Sequence, residues 1–219
     1  MLMTVTDVLD SASLTGLRAE MDSLQFVDGR ATAGWNARLV KQNRQAQPGS
    51  VLTALDRTVR KALMQHPLFT LAVRPKALTP LIFARYGSGE TYGTHIDDAL
   101  MGGLRTDVSF TLFLADPAQY EGGELVIESP SGEDSIKLPS GSLVLYPSTT
   151  LHRVNPVRSG ERSVCVGWAR SFIRSAAHRE LLFDLETARR ALFARHGKTH
   201  EFDLLSKCSA NLVREWAED

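Results

Sequence analysis

Between residues 83 and 170 the chain is a succession of short β-favouring runs separated by glycine and proline turns, and this rhythm limits its fold more than any other feature. Phe83-Ala84-Arg85-Tyr86 leads into Gly87-Ser88-Gly89, Val108 to Leu114 is rich in β-branched and aromatic residues, and Gly122-Gly123 precedes Glu124-Leu125-Val126-Ile127. Ile136-Lys137-Leu138, the turn Pro139-Ser140-Gly141, Ser142 to Tyr146, Leu151 to Asn155 and Arg162 to Arg170 continue the series. Short strands at this spacing argue for an antiparallel double sheet of the jelly-roll type and against a βαβ fold.

Helical patterns flank the strands. Ser50 is placed to cap a helix whose Leu52, Leu55, Val59 and Leu63 share one face of a 3.6-residue period, suited to packing on the outside of a sheet. Leu181, Leu185, Ala188 and Leu192 form a comparable stripe, His196-Gly197 reads as a helix stop, and Leu205, Cys208, Leu212 and Trp216 form another. The expectation is a mainly β protein with flanking helices: a double-stranded β-helix (jelly-roll) core with N-terminal helices over residues 1–175, then a C-terminal helical extension over residues 176–219. Two short helices cannot build a core of their own, so the extension should cover a sheet or form a homodimer interface.

Chemistry concentrates in His95-Ile96-Asp97 and His152. In an extended strand residues i and i+2 point the same way, roughly 6–7 Å apart, so His95 and Asp97 can reach one metal ion. A histidine from a neighbouring strand would complete two imidazoles and one carboxylate, a facial set that leaves positions open for O2 and substrate-like ligands and is diagnostic of non-haem Fe(II) oxygenases. Arg162, ten residues after His152, presents a planar fork that matches a carboxylate and stays charged when desolvated. Alternation from Arg162 places Val164, Val166 and Trp168 on its face, so Trp168 either walls the same pocket or is a core tryptophan.

These residues resemble a known family. Tyr86 to Asp97, Arg105-Thr106-Asp107, Gly122-Gly123-Glu124-Leu125, Tyr146-Pro147-Ser148, His152 and Arg162 are similar to the bacterial PKHD-type hydroxylases, relatives of the prolyl 4-hydroxylases among the Fe(II)/2-oxoglutarate dioxygenases. Val27 to Gly34, Lys41-Gln42-Asn43 and Leu181 to Leu185 extend the resemblance over nearly the whole chain. It implies His95, Asp97 and His152 as ligands of Fe(II), and Arg162 as the catalytic-site arginine holding the distal carboxylate of 2-oxoglutarate. It also implies Tyr86 as a second, hydroxyl contact to that carboxylate, with Tyr92 and Tyr146 as competitors for the role. The implied reaction is hydroxylation by O2 with release of succinate and CO2, ascorbate being a further candidate as reductant. The substrate, a peptidyl residue or a small molecule, is not legible.

Other features narrow the field. Twenty-five basic residues balance twenty-five acidic ones, which gives no electrostatic reason to expect nucleic acid or an anionic membrane as partner. No run of about eighteen apolar residues occurs, and the start lacks a basic signal-like segment, so a cytoplasmic setting is expected. Cys165 and Cys208 lack metal or dithiol spacing, and Cys165 is expected as a small buried hydrophobe. Asp98 and Arg105 are close enough to the metal ligands to face substrate at the mouth of the barrel, but solvated charge is the expected reading for both, and His66, His178, His196 and His200 are expected as cap or surface residues. A nucleic-acid dealkylase would be expected to carry a second arginine where Trp168 stands, a cupin-type metalloenzyme would show His-x-His, and a jelly-roll sensor that binds metal and cosubstrate without turnover is the non-enzymatic alternative.

Overall fold

The computed structural model describes residues 1–218. Two antiparallel sheets face each other. The larger runs in the order Met3–Val5, Leu143–Pro147, Val108–Phe113, Arg162–Ser171, Ile82–Tyr86, Arg44–Ala46, Phe26–Asp28, with Pro75–Leu78 also paired to Arg162–Ser171. The smaller runs Gly132–Ile136, Leu125–Ser129, His152–Val154, Thr91–His95, Lys41–Gln42. Neighbours distant in sequence lie side by side, as a jelly roll requires. One expected segment is displaced: Ile136-Lys137-Leu138 contributes only Ile136 to a strand, because the hairpin from Leu125–Ser129 turns earlier and pairs Leu125 with Ile136.

Alternation along the strands of the larger sheet serves two cores. Phe83, Phe110, Leu112, Leu145, Cys165 and Ala169 face outward into a cluster with helices α1 (Ser11–Asp22), α2 (Ser50–Gln65) and α3 (Pro67–Val73). Ala84, Tyr86, Phe113, Val144, Tyr146 and Val164 face inward, toward Leu125, Ile127 and Val154 of the smaller sheet. All six residues of Val108–Phe113 are buried, since helices cover one face and the second sheet the other. Cys165 is fully buried in the outer cluster, and desolvation raises its thiol pKa well above the ordinary value, so it is the inert hydrophobe expected.

Helix α2 carries Leu55, Val59 and Leu63 on its buried face. Its cap differs from expectation: Gly49 occupies the cap position in extended backbone and Ser50 is the first helical residue, without a side-chain cap bond. Helices α4 (Ala176–His196) and α5 (His200–Trp216) follow the last strand, with the stop at Gly197 in place (φ 69°). The buried face of α4 is not the leucine stripe. Arg179, Leu182 and Glu186 are buried, whereas Leu181 and Ala188 are exposed. Arg179 donates to the carbonyls of Ile173 and Arg174 at 2.8 Å each, and Glu186 is clasped by Arg189 and Arg190. Paired polar groups thus take positions that hydrophobic periodicity assigned to leucine. On α5, Leu205, Leu212 and Trp216 are half-buried while Cys208 is exposed. Among the described residues no helix is long and apolar enough to cross a membrane.

Candidate active site

The strand Thr91–His95 pairs antiparallel with His152–Val154 in a register that sets His95 directly opposite His152. Their rings lie 4.3 Å apart between centroids. Each imidazole is oriented by its own backbone: His95 Nδ1 lies 2.9 Å from the carbonyl of Gly93, and His152 Nδ1 lies 3.0 Å from that of Thr150. With the proton held at Nδ1, both Nε2 atoms turn their lone pairs toward the same point. The strand ends at His95, so Asp97 is delivered by the irregular segment that follows and not by strand alternation. Its carboxylate nonetheless reaches the histidines, with Oδ1 4.0 Å from His95 Nε2 and 3.8 Å from His152 Nε2. One ligand atom from each of the three lies within 4.8 Å of the other two.

Two serines fix the carboxylate. Ser109 donates from Oγ to Asp97 Oδ2 at 2.6 Å, and Ser148 Oγ lies 2.8 Å from Ser109 Oγ. Oδ1 is thereby left toward the histidines. Burial, reinforced by the neighbouring His152, lowers His95 to about 4, so its imidazole is neutral at physiological pH and can donate its lone pair. Tyr92 stacks flat on His95 (3.6 Å, 13°), and Tyr146 meets His152 edge-on at 5.0 Å. Two imidazole nitrogens and one carboxylate on one side of an open cavity suit a ferrous ion with positions to spare.

The cavity is about 350 Å³ and reaches from the triad to Arg162, which is 1 % exposed. Arg162 stands opposite Tyr86 across two paired strands, its guanidinium carbon 5.0 Å over the Tyr86 ring and 5.5 Å over that of Phe113. Its Nε and Nη1 are buried without a protein hydrogen-bond partner. An orphaned, permanently charged fork at the end of a cavity leaves a large desolvation cost that a ligand carboxylate would offset. Burial raises Tyr86 above the usual phenol range, against the lowering effect of the Arg162 charge, so its hydroxyl keeps its proton and can donate. Trp168 lines the same cavity with a buried Nε1 that has no protein partner, which favours the wall over the plain core reading.

Sequence comparison adds ancestry to this geometry. A PKHD-type hydroxylase of Gloeothece citriformis is 54 % identical over 220 residues, covering 100 % of both chains. The chain belongs to the PKHD-type hydroxylases. A second member, from Acaryochloris marina, is 51 % identical, again over 100 % of both chains. The 2OG-Fe(II) oxygenase superfamily model matches residues 81–170, and the PKHD-type hydroxylase C-terminal domain model matches residues 177–218. Among solved structures, a prolyl-4-hydroxylase of Pseudomonas putida aligns with a TM-score of 0.52 at 25 % identity, over 78 % of this chain and 92 % of that one. HygX of Streptomyces hygroscopicus, solved with nickel, 2-oxoglutarate and hygromycin B, shares the fold with a TM-score of 0.55 at 15 % identity, over 78 % of this chain and 84 % of that one. This PKHD-type hydroxylase is therefore an Fe(II)- and 2-oxoglutarate-dependent oxygenase that consumes O2.

Several residues of the site escaped the sequence. Ser109 sits in a strand with nothing local to mark it, and Ser148 stood in the sequence only as part of a family-like segment, with no role attached. Lys41, 5 % exposed, lines the cavity because Lys41–Gln42 adds an edge strand beside Thr91–His95. Asp98, by contrast, is exposed as the sequence led one to expect, and it lies on the cavity lining close against Gly34. Arg105 does not face it freely: it is bound to Asp107 at 2.7 Å and to Glu218 at 2.8 Å, tying the loop after the triad to the end of the chain.

Proposed function

We propose that the protein hydroxylates an unactivated C–H bond of a peptidyl residue or small molecule, converting 2-oxoglutarate to succinate and CO2. The observation that carries this reading is the sharing of one cavity by a buried His-Asp-His set and an orphaned arginine fork. His95, Asp97 and His152 would hold the iron, and Arg162 with Tyr86 would hold the distal carboxylate of the cosubstrate. Bound there, Fe(II) and 2-oxoglutarate supply O2 activation, the part of the chemistry no side chain can perform.

The protein's own share is placement. The Nδ1 contacts to Gly93 and Thr150 keep both Nε2 atoms aimed at one point. Ser109 orients one carboxylate oxygen, and Trp168 and Val166 wall the space between metal set and arginine, excluding water. The test is succinate formation from 2-oxoglutarate with ferrous iron and O2, alone and with panels of prolyl peptides and small metabolites. Stimulation of succinate yield above the uncoupled rate by one panel identifies the substrate class; no succinate under any condition would refute the reading.

A further inference from the structure

Outside the metal set and the Arg162 end, the cavity contains one more buried cation. Lys41 is held by the edge strand that pairs it with Tyr92, and its ammonium lies 5.1 Å over the Tyr92 ring, whose other neighbour is His95 in a 3.6 Å stack. The ammonium therefore sits one aromatic ring away from the triad. Thr32 Oγ1, 3.1 Å away, accepts the one hydrogen bond it makes among the described residues, and Thr32 is itself fixed by donating to Gln45 Oε1 at 2.6 Å. Among the described residues no carboxylate lies within 4.0 Å of this nitrogen; Asp28 and Asp97 act on it only at longer range. A buried ammonium with two N–H groups to spare and no ion-pair partner is costly unless something anionic arrives.

We propose that Lys41 is a substrate-binding residue that recognises a carboxylate on the molecule to be hydroxylated. The inference rests on the hydroxylase reading and adds the substrate's chemical class. Arg162, already assigned to 2-oxoglutarate, lies on a different strand and a different sheet, so the two cations serve two different anions. Geometry also sets the rest of the ligand. Ala33, Gly34 and Ala37 line the cavity together with Lys41, and Trp35 and Leu39 of the same segment are 83 % and 76 % exposed. Ile96, Asp98 and Met101 also line the cavity, next in sequence to exposed Leu100. A compact, largely apolar group carrying a carboxylate matches a buried ammonium beside these side chains, with the Asp98 carboxylate on the same lining keeping further negative charge away from that part of the cavity.

The probes are N-acetyl-L-leucine and N-acetyl-L-proline as free carboxylates and as their carboxamides, titrated anaerobically into the Fe(II)·2-oxoglutarate complex. The readout is perturbation of the metal-to-cosubstrate charge-transfer band. At least one carboxylate is expected to bind at least 10-fold more tightly than its carboxamide. Lys41→Met, which keeps the aliphatic stem over Tyr92, should abolish that preference while its 2-oxoglutarate affinity stays within about 2-fold of the parent, and Lys41→Arg should retain part of the preference. Equal binding of acid and amide, or no binding of either acid, would overturn the inference alone. A Lys41→Met protein that loses 2-oxoglutarate as Arg162→Ala does would reassign the lysine to the cosubstrate. Absence of the band in the parent would instead overturn the cosubstrate reading on which this inference stands.

Discussion

Ser109 Oγ donates to Asp97 Oδ2 across 2.6 Å, joining an interior strand of the larger sheet to the irregular segment that carries the triad carboxylate. The bond compensates for the end of the strand at His95, and the metal set depends on a residue twelve positions away. Ser109→Ala is expected to weaken ferrous binding by about 10- to 100-fold while leaving the fold intact, the usual loss when a hydrogen-bond partner of a ligand is removed. Anaerobic Fe(II) titration with circular dichroism as fold control checks it. Unchanged iron affinity would show that Asp97 needs no support.

His95→Ala, Asp97→Ala and His152→Ala should each abolish turnover and weaken iron binding, because no fourth carboxylate, imidazole or thiolate among the described residues joins the cluster to substitute. Cys165→Ser and Cys208→Ser should keep the iron. Full activity in any triad variant would disqualify the assigned set.

Arg162→Ala removes the charged fork facing the cavity and should raise the 2-oxoglutarate concentration for half-saturation by on the order of 100-fold, from about 3 kcal/mol of charge-assisted hydrogen bonding, with little change in iron affinity. Arg162→Lys should recover part of this, as a point charge without the fork. Tyr86→Phe should cost less, about one hydrogen bond. Anaerobic titration of the charge-transfer band reads all three. Parent-like chelation by Arg162→Ala would place the carboxylate elsewhere.

Acid should destabilise the metal-free protein through His95. Its folded value, about 4, lies below the usual 6.5 because of burial and His152, so between those values the unfolded chain binds more protons. Stability from this group is thus complete above about pH 6.5 and lost as pH falls through 4, by at most about 3 kcal/mol. Urea denaturation at pH 7 and 4.5 of parent and His95→Gln, which cannot titrate, isolates the effect. Equal losses in both would mean that His95 does not carry it.

Truncation after residue 176 should expose the α3 surface that α4 covers and remove Arg179, Leu182 and the Arg105–Glu218 tie. The truncated chain is expected to aggregate or lose stability. We further propose that the exposed Leu181, Phe193 and Leu204 contribute to a homodimer, which light scattering on the full-length chain would reveal. A truncated protein that stays soluble with unchanged assembly and thermal stability would show the extension to be dispensable.

Strand periodicity, glycine turns and the apolar face of α2 were legible in the residues because each is a local signal, readable within one turn or a few alternations. The His-x-Asp spacing, the distant histidine and the arginine ten residues on likewise announced the chemistry, since a metal and a dicarboxylate restrict which residue types can serve. Three features were settled only by folding. Asp97 is aimed by Ser109 from another strand, and Lys41 enters the cavity because its short strand pairs beside Tyr92, fifty-one positions away. Helix α4 turns Arg179 and Glu186 inward because carbonyls of Ile173 and Arg174, and its own Arg189 and Arg190, satisfy them there, overriding the leucine stripe. Hydrophobic period reports which side chains avoid water, but not which buried polar groups find partners; those partners exist only once distant strands and helices have been brought together.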